Sequence, residues 1–131
     1  LAVNLFSTDA EAHASWIEHF LGGTRKGEMM KDDKGKVLHG AIVVHGVEIY
    51  LGDWGLDGQT TPFPAADPSL FPRAFYININ LPPPISEVNA ICDSIKAAGK
   101  GEVMQDATDE TWGARTAVIR DPFGHDWRLC A

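Results

Sequence analysis

The chain has 131 residues, 44% of them hydrophobic and 22% charged, with a net charge of −7. That composition is ordinary for a globular chain long enough to bury a sizeable core. It excludes a nucleic-acid-binding face, because the eleven Lys and Arg are scattered and the one cluster, Arg25, Lys26, Lys31, Lys34 and Lys36, is interleaved with Glu28, Asp32 and Asp33. It also excludes a membrane span, since no apolar run approaches the roughly 20 residues that cross a bilayer.

Leu1 to Ser7 alternates as a strand, with Leu1, Val3 and Leu5 on one face. It has no basic n-region and does not read as a signal peptide. The absence of an initiator Met points to a few residues trimmed upstream. Thr8 or Asp9 is placed to cap a helix, with Glu11 in its first turn and Ala12, Trp16, Ile17, Phe20 and Leu21 as its apolar stripe. Gly22-Gly23 stops that helix. Thr24 to Lys31 reads as a strand and Asp32-Asp33-Lys34-Gly35 as a hairpin turn. Val37 to Val44, a turn at His45-Gly46, and Val47 to Asp53 follow.

Residues 54–72 change character, with Trp54 leading a Gly-rich loop and Pro62, Pro64, Pro68 and Pro72 marking a linker. Ala74 to Asn80 reads as a strand. Ser86 is placed to cap a second helix, whose buried stripe is Val88, Ile91, Cys92 and Ile95 and which Gly99 ends. Gly101 to Gln105, Ala114 to Arg120 and Gly124 to Cys130 supply three more strands, the last two joined by an Asp121-Pro122-Phe123-Gly124 turn.

The order strand, helix, three strands therefore occurs twice. His45-Gly46-Val47-Glu48-Ile49-Tyr50-Leu51 overlays Phe123-Gly124-His125-Asp126-Trp127-Arg128-Leu129. Period-two alternation points Ile49, Leu51, Trp127 and Leu129 toward the helices, and Glu48, Tyr50, Asp126 and Arg128 to the opposite face. Two such modules curled around a shared cavity would bury that second face and line the cavity with its polar residues. Two cysteines, Cys92 and Cys130, are too few for a disulfide framework and read as reduced thiols of a cytoplasmic protein.

The pattern resembles the glyoxalase/bleomycin-resistance/dioxygenase superfamily, the vicinal-oxygen-chelate fold. The residues that carry the likeness are Asp9-Ala10-Glu11-Ala12, Trp112-Gly113-Ala114-Arg115, and Asp121-Pro122-Phe123-Gly124-His125 with Trp127 and Leu129. The resemblance implies an α+β fold: two tandem βαβββ modules forming a curled, U-shaped mixed sheet with the helices on its outer face. The chain then reads as a single vicinal-oxygen-chelate-like domain over residues 1–131, with module one at 1–53, the linker at 54–72 and module two at 73–131. A homodimer is the expected assembly.

Enzymes of that superfamily hold a divalent metal through His or Gln near the start of each first strand and Glu near the end of each fourth strand. The matching fourth-strand positions here are Tyr50 and Arg128, and the first-strand positions fall near Ala2 to Asn4 and Ala74 to Tyr76. A guanidinium repels a cation, so the resemblance points to a branch that works without a cofactor. The leading reading is a metal-independent small-molecule-binding protein like the antibiotic-sequestering, bleomycin-resistance-type members. Its ligand-binding candidates are Tyr50, Trp54, Tyr76, Asn78, Trp112, Arg115 and Arg128, with Asn4 and Glu48 as further polar anchors. The alternative is a metal-dependent glyoxalase-like lyase or extradiol dioxygenase with displaced ligands drawn from His39, Glu48 and His125. A third reading is an accessory domain that assembles as a dimer. His13 and His19, six apart on a helix, are expected to face solvent. No serine sits in a nucleophile-elbow context, and no catalytic residue stands out.

Overall fold

Alternation on the first strand sets up the first sheet. The computed structural model describes residues 3–53 and 76–131, so the linker 54–72 with Trp54, and the expected strand start at Ala74, lie outside the described residues. The chain divides into two units, Leu1–Ala65 and Ala66–Ala131. Strand β1 (Val3–Ser7) buries Leu5 and Ser7 and exposes Asn4 and Phe6. It runs parallel to β5 (Val47–Asp53), which pairs antiparallel with β4 (Val37–Val44). The expected strand Thr24 to Lys31 is instead two short pieces, β2 (Thr24–Arg25) and β3 (Met30–Lys31), both on the β4 edge. Between them Gly27 turns the backbone to φ +73°, which ends one ladder before the next begins.

Helix α1 (Ala10–Leu21) starts where Asp9, in extended conformation, accepts a 2.9 Å bond from the Ala12 amide. It packs on β1, β2, β4 and β5. Its buried residues are Ala10, His13, Ala14, Trp16, Ile17, Phe20 and Leu21, so two expectations are corrected. Ala12 is exposed, and His13 is fully buried, whereas His19 is exposed as expected. His13 lies three residues after Ala10 and four before Ile17, which puts it on the seam that faces the sheet. The helix ends at Gly22 in the left-handed region. Gly23 then passes so close to the core that a Cβ there would stand 2.8 Å from Ile17 Cγ2 and 2.9 Å from Ile42 Cδ1.

The β4–β5 hairpin turns in two residues, with His45 at φ 45° and Gly46 at φ 83°. Positive φ at both positions is the type I′ geometry that matches strand twist. His45 tolerates it because its Nε2 donates to the Leu21 carbonyl at 2.9 Å, which ties the turn to the end of the helix. Asp53, buried at the other end of β5, accepts from the Ala10 amide at 2.7 Å and the Val37 amide at 2.8 Å. One carboxylate thereby satisfies an orphan donor of the helix start and fixes the start of β4.

The second unit repeats the order. Its sheet is β6 (Ile77–Asn80), β9 (Asp126–Cys130), β8 (Arg115–Arg120) and β7 (Glu102–Asp109), with β6 parallel to β9 and the other pairs antiparallel. Strand β7 reaches Asp109, beyond the expected Gln105, and shifts register between Val103 and Thr108. Helix α2 (Ser86–Ala98) packs on β7 and β8 and buries Val88, Cys92 and Ile95. Ser86 does not cap it. The cap position is Ile85, with no side-chain bond, and the Glu87 and Val88 amides reach the Pro84 and Ile85 carbonyls at 3.1 and 3.3 Å. A tight first turn does the work a serine hydroxyl would otherwise do. The core of this unit is Ile77, Ile79, Ala117, Ile119, Trp127 and Leu129 under α2. The fold is α+β, with two mixed sheets and two helices. Among the described residues no helix is long and apolar enough to cross a membrane.

Candidate functional site

The Asp-Pro-Phe-Gly turn is a carboxylate-centred structure. Asp121 Oδ1 accepts from the Phe123 amide at 2.9 Å and the His125 amide at 3.0 Å, and Oδ2 accepts from the Trp127 indole Nε1 at 2.9 Å. One buried side chain thus sets the turn and pins the largest core residue. Beside it Asp126 takes Arg120 Nε at 2.6 Å and Nη2 at 3.0 Å, a forked pair shielded from water. The Asp126 carboxylate raises the Arg120 pKa against the opposing effect of burial. With its acid engaged there, Asp126 is a structural residue, and Arg128 finds another partner.

That partner is Glu110, whose Oε1 lies 3.5 Å from Arg128 Nη2 and is held by the Thr116 hydroxyl at 2.5 Å. Trp112, in the β7–β8 turn, has its ring centroid 5.9 Å from the Arg128 guanidinium carbon and is 63% exposed. The parallel register sets Asn78 directly beside Arg128, and Asn80 beside Cys130. Asn78 and Asn80 are exposed while Ile77 and Ile79, which alternate with them, are buried. The structure therefore brings Arg128, Trp112 and Asn78 together on one face of the second sheet. Tyr76, just before β6, is exposed. Arg115 is on the opposite face: its Nε donates to Asn89 of α2 at 2.7 Å and its Nη1 to Asp109 at 2.7 Å. Helix packing accounts for that residue.

On the first sheet the equivalent position is Tyr50, paired in register with Asn4. Its ring lies 4.9 Å from that of His39, tilted by 57°. Phe6 is also exposed on β1, two residues from Asn4. Glu48 is engaged by Lys26 Nζ at 3.2 and 3.3 Å. Glu48 pairs with Val43, four residues along β4 from His39, a separation of about 13 Å at strand rise. His39 and Glu48 therefore do not share a metal. His125 sits in the Asp121 turn with its amide engaged. No three His, Cys, Asp or Glu among the described residues form a metal-holding group.

A recess of about 390 Å³ lies elsewhere in the first unit, lined by Glu11, Arg25, Glu28, Met29 and Lys31. Arg25 there donates to Glu11 at 2.5 Å, Glu18 at 2.9 Å and Ser15 at 3.0 Å, and Lys31 stands 3.1 Å from Glu11. The charges of Arg25, Lys31 and Glu11 are spent within one ion-pair network, which is what the recess marks. The Arg25 and Lys31 bonds hold the Glu11 carboxyl below the usual carboxylate pKa, and Glu11 raises Arg25 in turn. Sequence reasoning missed Glu110 and Thr116. Alternation along β8, counted from the Asp121 turn, puts Thr116 on the Arg128 face.

Residues 80–129 match the family model described as "Glyoxalase/Bleomycin resistance protein/Dioxygenase superfamily". The match covers α2, β7, β8 and β9 as far as Leu129. Over those residues the chain is similar to the glyoxalase/bleomycin resistance/dioxygenase superfamily. A curated relative, an uncharacterized protein of Mycobacterium bovis, is 30% identical over 98 residues, 72% of this chain and 59% of that protein. The chain thus spans a little over half the length of that relative. Among solved structures, a glyoxalase/bleomycin resistance protein/dioxygenase from Nocardioides is 25% identical with a TM-score of 0.62, covering 99% of this chain and 80% of that one. The fosfomycin resistance protein FosX from Listeria monocytogenes, complexed with Mn(II) and sulfate, has a TM-score of 0.64 at 16% identity, over 100% and 89% of the two chains. That last likeness is one of fold.

Similarity to this superfamily makes a divalent metal the first cofactor to test against the residues. The positions that face each other across the parallel strands are Asn4 with Tyr50 and Asn78 with Arg128. The register moves the second first-strand position to Asn78 from the expected range Ala74 to Tyr76. A carboxamide with a phenol on the first sheet, or a carboxamide with a guanidinium on the second, is a poor donor set for a divalent cation, and the guanidinium opposes its charge. The residues present do not fit the metal.

Proposed function

We propose that this chain is a member of the glyoxalase/bleomycin resistance/dioxygenase superfamily that binds a small molecule without a metal, holding it by stacking and hydrogen bonding in the manner of sequestering, antibiotic-resistance-type proteins. The observation that carries the reading is the substitution of Asn-Tyr and Asn-Arg pairs at the positions where a metal would be bound. The proposed ligand contacts are taken unit by unit: Tyr50 and Asn4 on the first sheet, and Arg128, Trp112, Asn78 and Tyr76 on the second, while the candidate Trp54 lies outside the described residues. Aromatic faces give area and polar groups give orientation, which is the usual division of labour in a small-molecule site. Arg115 is left out because it serves α2. We further propose a cytoplasmic homodimer; the two free cysteines support the compartment alone.

Metal content per chain is the test. The protein is incubated in turn with manganese, nickel, zinc and ferrous iron, desalted, and analysed for bound metal. The reading expects none retained, with tryptophan fluorescence quenched by members of an aromatic ligand panel. Retention of about one metal per chain overturns it and restores the glyoxalase or dioxygenase alternative.

A further inference from the structure

Arg128 is an under-used cation. Its side chain is 30% exposed, and its only hydrogen-bonding partner among the described residues is Glu110, through one nitrogen at the long distance of 3.5 Å. A guanidinium has five N–H donors in a planar fork, and leaving most of them idle while half-buried is unfavourable. Glu110 does not close on it because the Thr116 hydroxyl holds the same carboxylate oxygen at 2.5 Å. Around the idle edge stand an exposed indole and a carboxamide. Trp112 is 5.9 Å from the guanidinium carbon, and Asn78 occupies the adjacent parallel strand, about 4.8 Å away.

We propose that the Arg128–Trp112–Asn78 surface of the second sheet docks the carboxylate of a flat, aromatic small molecule. This rests on the small-molecule reading above and names the ligand's chemical class. Arg128 presents two parallel N–H bonds to the carboxylate, Asn78 donates through its Nδ2, and the indole of Trp112 stacks on the ring that bears the acid. Asn78 Nδ2 is available for this, since its bond to Asn80 Oδ1 is a weak 3.4 Å. Glu110 then acts as a built-in competitor. Its negative charge opposes an incoming anion, and its Thr116 bond keeps it from occupying the fork. The net charge of −7 would favour cations at long range, so an anion preference here would be set by the local fork.

The experiment titrates the full chain with three naphthalene probes of one shape, 1-naphthoate, 1-naphthamide and 1-naphthylmethylamine. Binding is followed by NMR at the Arg128 Nε and Trp112 Nε1 resonances. The naphthoate is expected to bind most tightly and to shift both signals. Arg128→Ala should weaken it at least about tenfold, and Arg128→Lys, which keeps the charge but not the fork, should recover only part of that loss. Glu110→Gln keeps an acceptor for Thr116 and removes the competing charge, so it should tighten naphthoate by on the order of fivefold. Circular dichroism of each variant checks that it is folded. Preferential binding of the amine, or weaker naphthoate binding in Glu110→Gln, overturns the carboxylate assignment and leaves the small-molecule reading standing. If the two signals stay unmoved by all three probes at millimolar concentration, this surface is not a ligand site. Quenching of the other tryptophans by the wider aromatic panel would then decide the small-molecule reading separately.

Discussion

Replacing Asp121 with alanine should be among the most damaging single changes in the second unit. The carboxylate accepts three N–H groups, two from the turn backbone and one from the Trp127 indole. The Phe123 and His125 amides are part-buried and regain some water when the acid is removed. The indole cannot, because Trp127 is 0% exposed. An unsatisfied buried donor costs about 1–3 kcal/mol, and each lost bond to a charged group about 1.5–3 kcal/mol before solvent compensates. A net loss of about 3–5 kcal/mol follows, a large share of the roughly 5–15 kcal/mol that holds a domain together. Asp121→Asn should cost less, since its oxygen still serves the turn while its amide opposes the indole N–H. Urea titration followed by far-UV circular dichroism measures both losses. A cycle with Trp127→Phe isolates the indole bond, for which a coupling of at least about 1 kcal/mol is expected. A loss below about 0.5 kcal/mol in Asp121→Ala, or no coupling in the cycle, would refute the carboxylate-centred account of the turn.

Asp126→Ala removes the paired carboxylate from the buried Arg120 guanidinium and should destabilise by about 3–5 kcal/mol, whereas exchanging both partners for Leu and Met should recover most of the loss; chemical denaturation of the parent and the two variants decides it. Glu11 has a folded pKa below its usual value of 4.5 because of Arg25 and Lys31, so its contribution is present above that pH and fades as pH falls through the lower folded value. Thermal melts across the acid range should therefore show a shallower loss of stability in Glu11→Gln than in the parent. Burial pushes the Cys92 thiol pKa up, so a thiol reagent at mildly alkaline pH should modify Cys130 first and Cys92 only as the fold opens. Equal rates for the two thiols would contradict the burial of Cys92.

The repeated element order and the opposite faces of the hairpin strands were legible from the sequence, because period-two alternation and turn chemistry act locally. Ile49, Leu51, Trp127 and Leu129 are buried as alternation required. His13 was not legible, since polarity argues for solvent and only helix phase relative to the sheet puts it inside. The break between β2 and β3 depends on Gly27, whose positive φ no strand pattern announces. Arg115 was grouped with Arg128 on chemical kind, yet the two are thirteen positions apart on neighbouring strands and fall on opposite faces. The Glu110–Thr116 pair needed the register of β7 on β8, which the shift between Val103 and Thr108 hides from any count along the chain.

The two halves share a wiring diagram but are fastened by different carboxylates. Asp53 joins helix to strand in the first unit, and the residue aligned with it in the second is Ala131. Asp121 organises the second hairpin, and the residue aligned with it in the first is Val43. A designer who averaged the halves into an idealised symmetric repeat would thus erase both fasteners while keeping every strand and helix. Divergence after duplication has moved the keystone of each half to a different place, so stability here has to be engineered one half at a time.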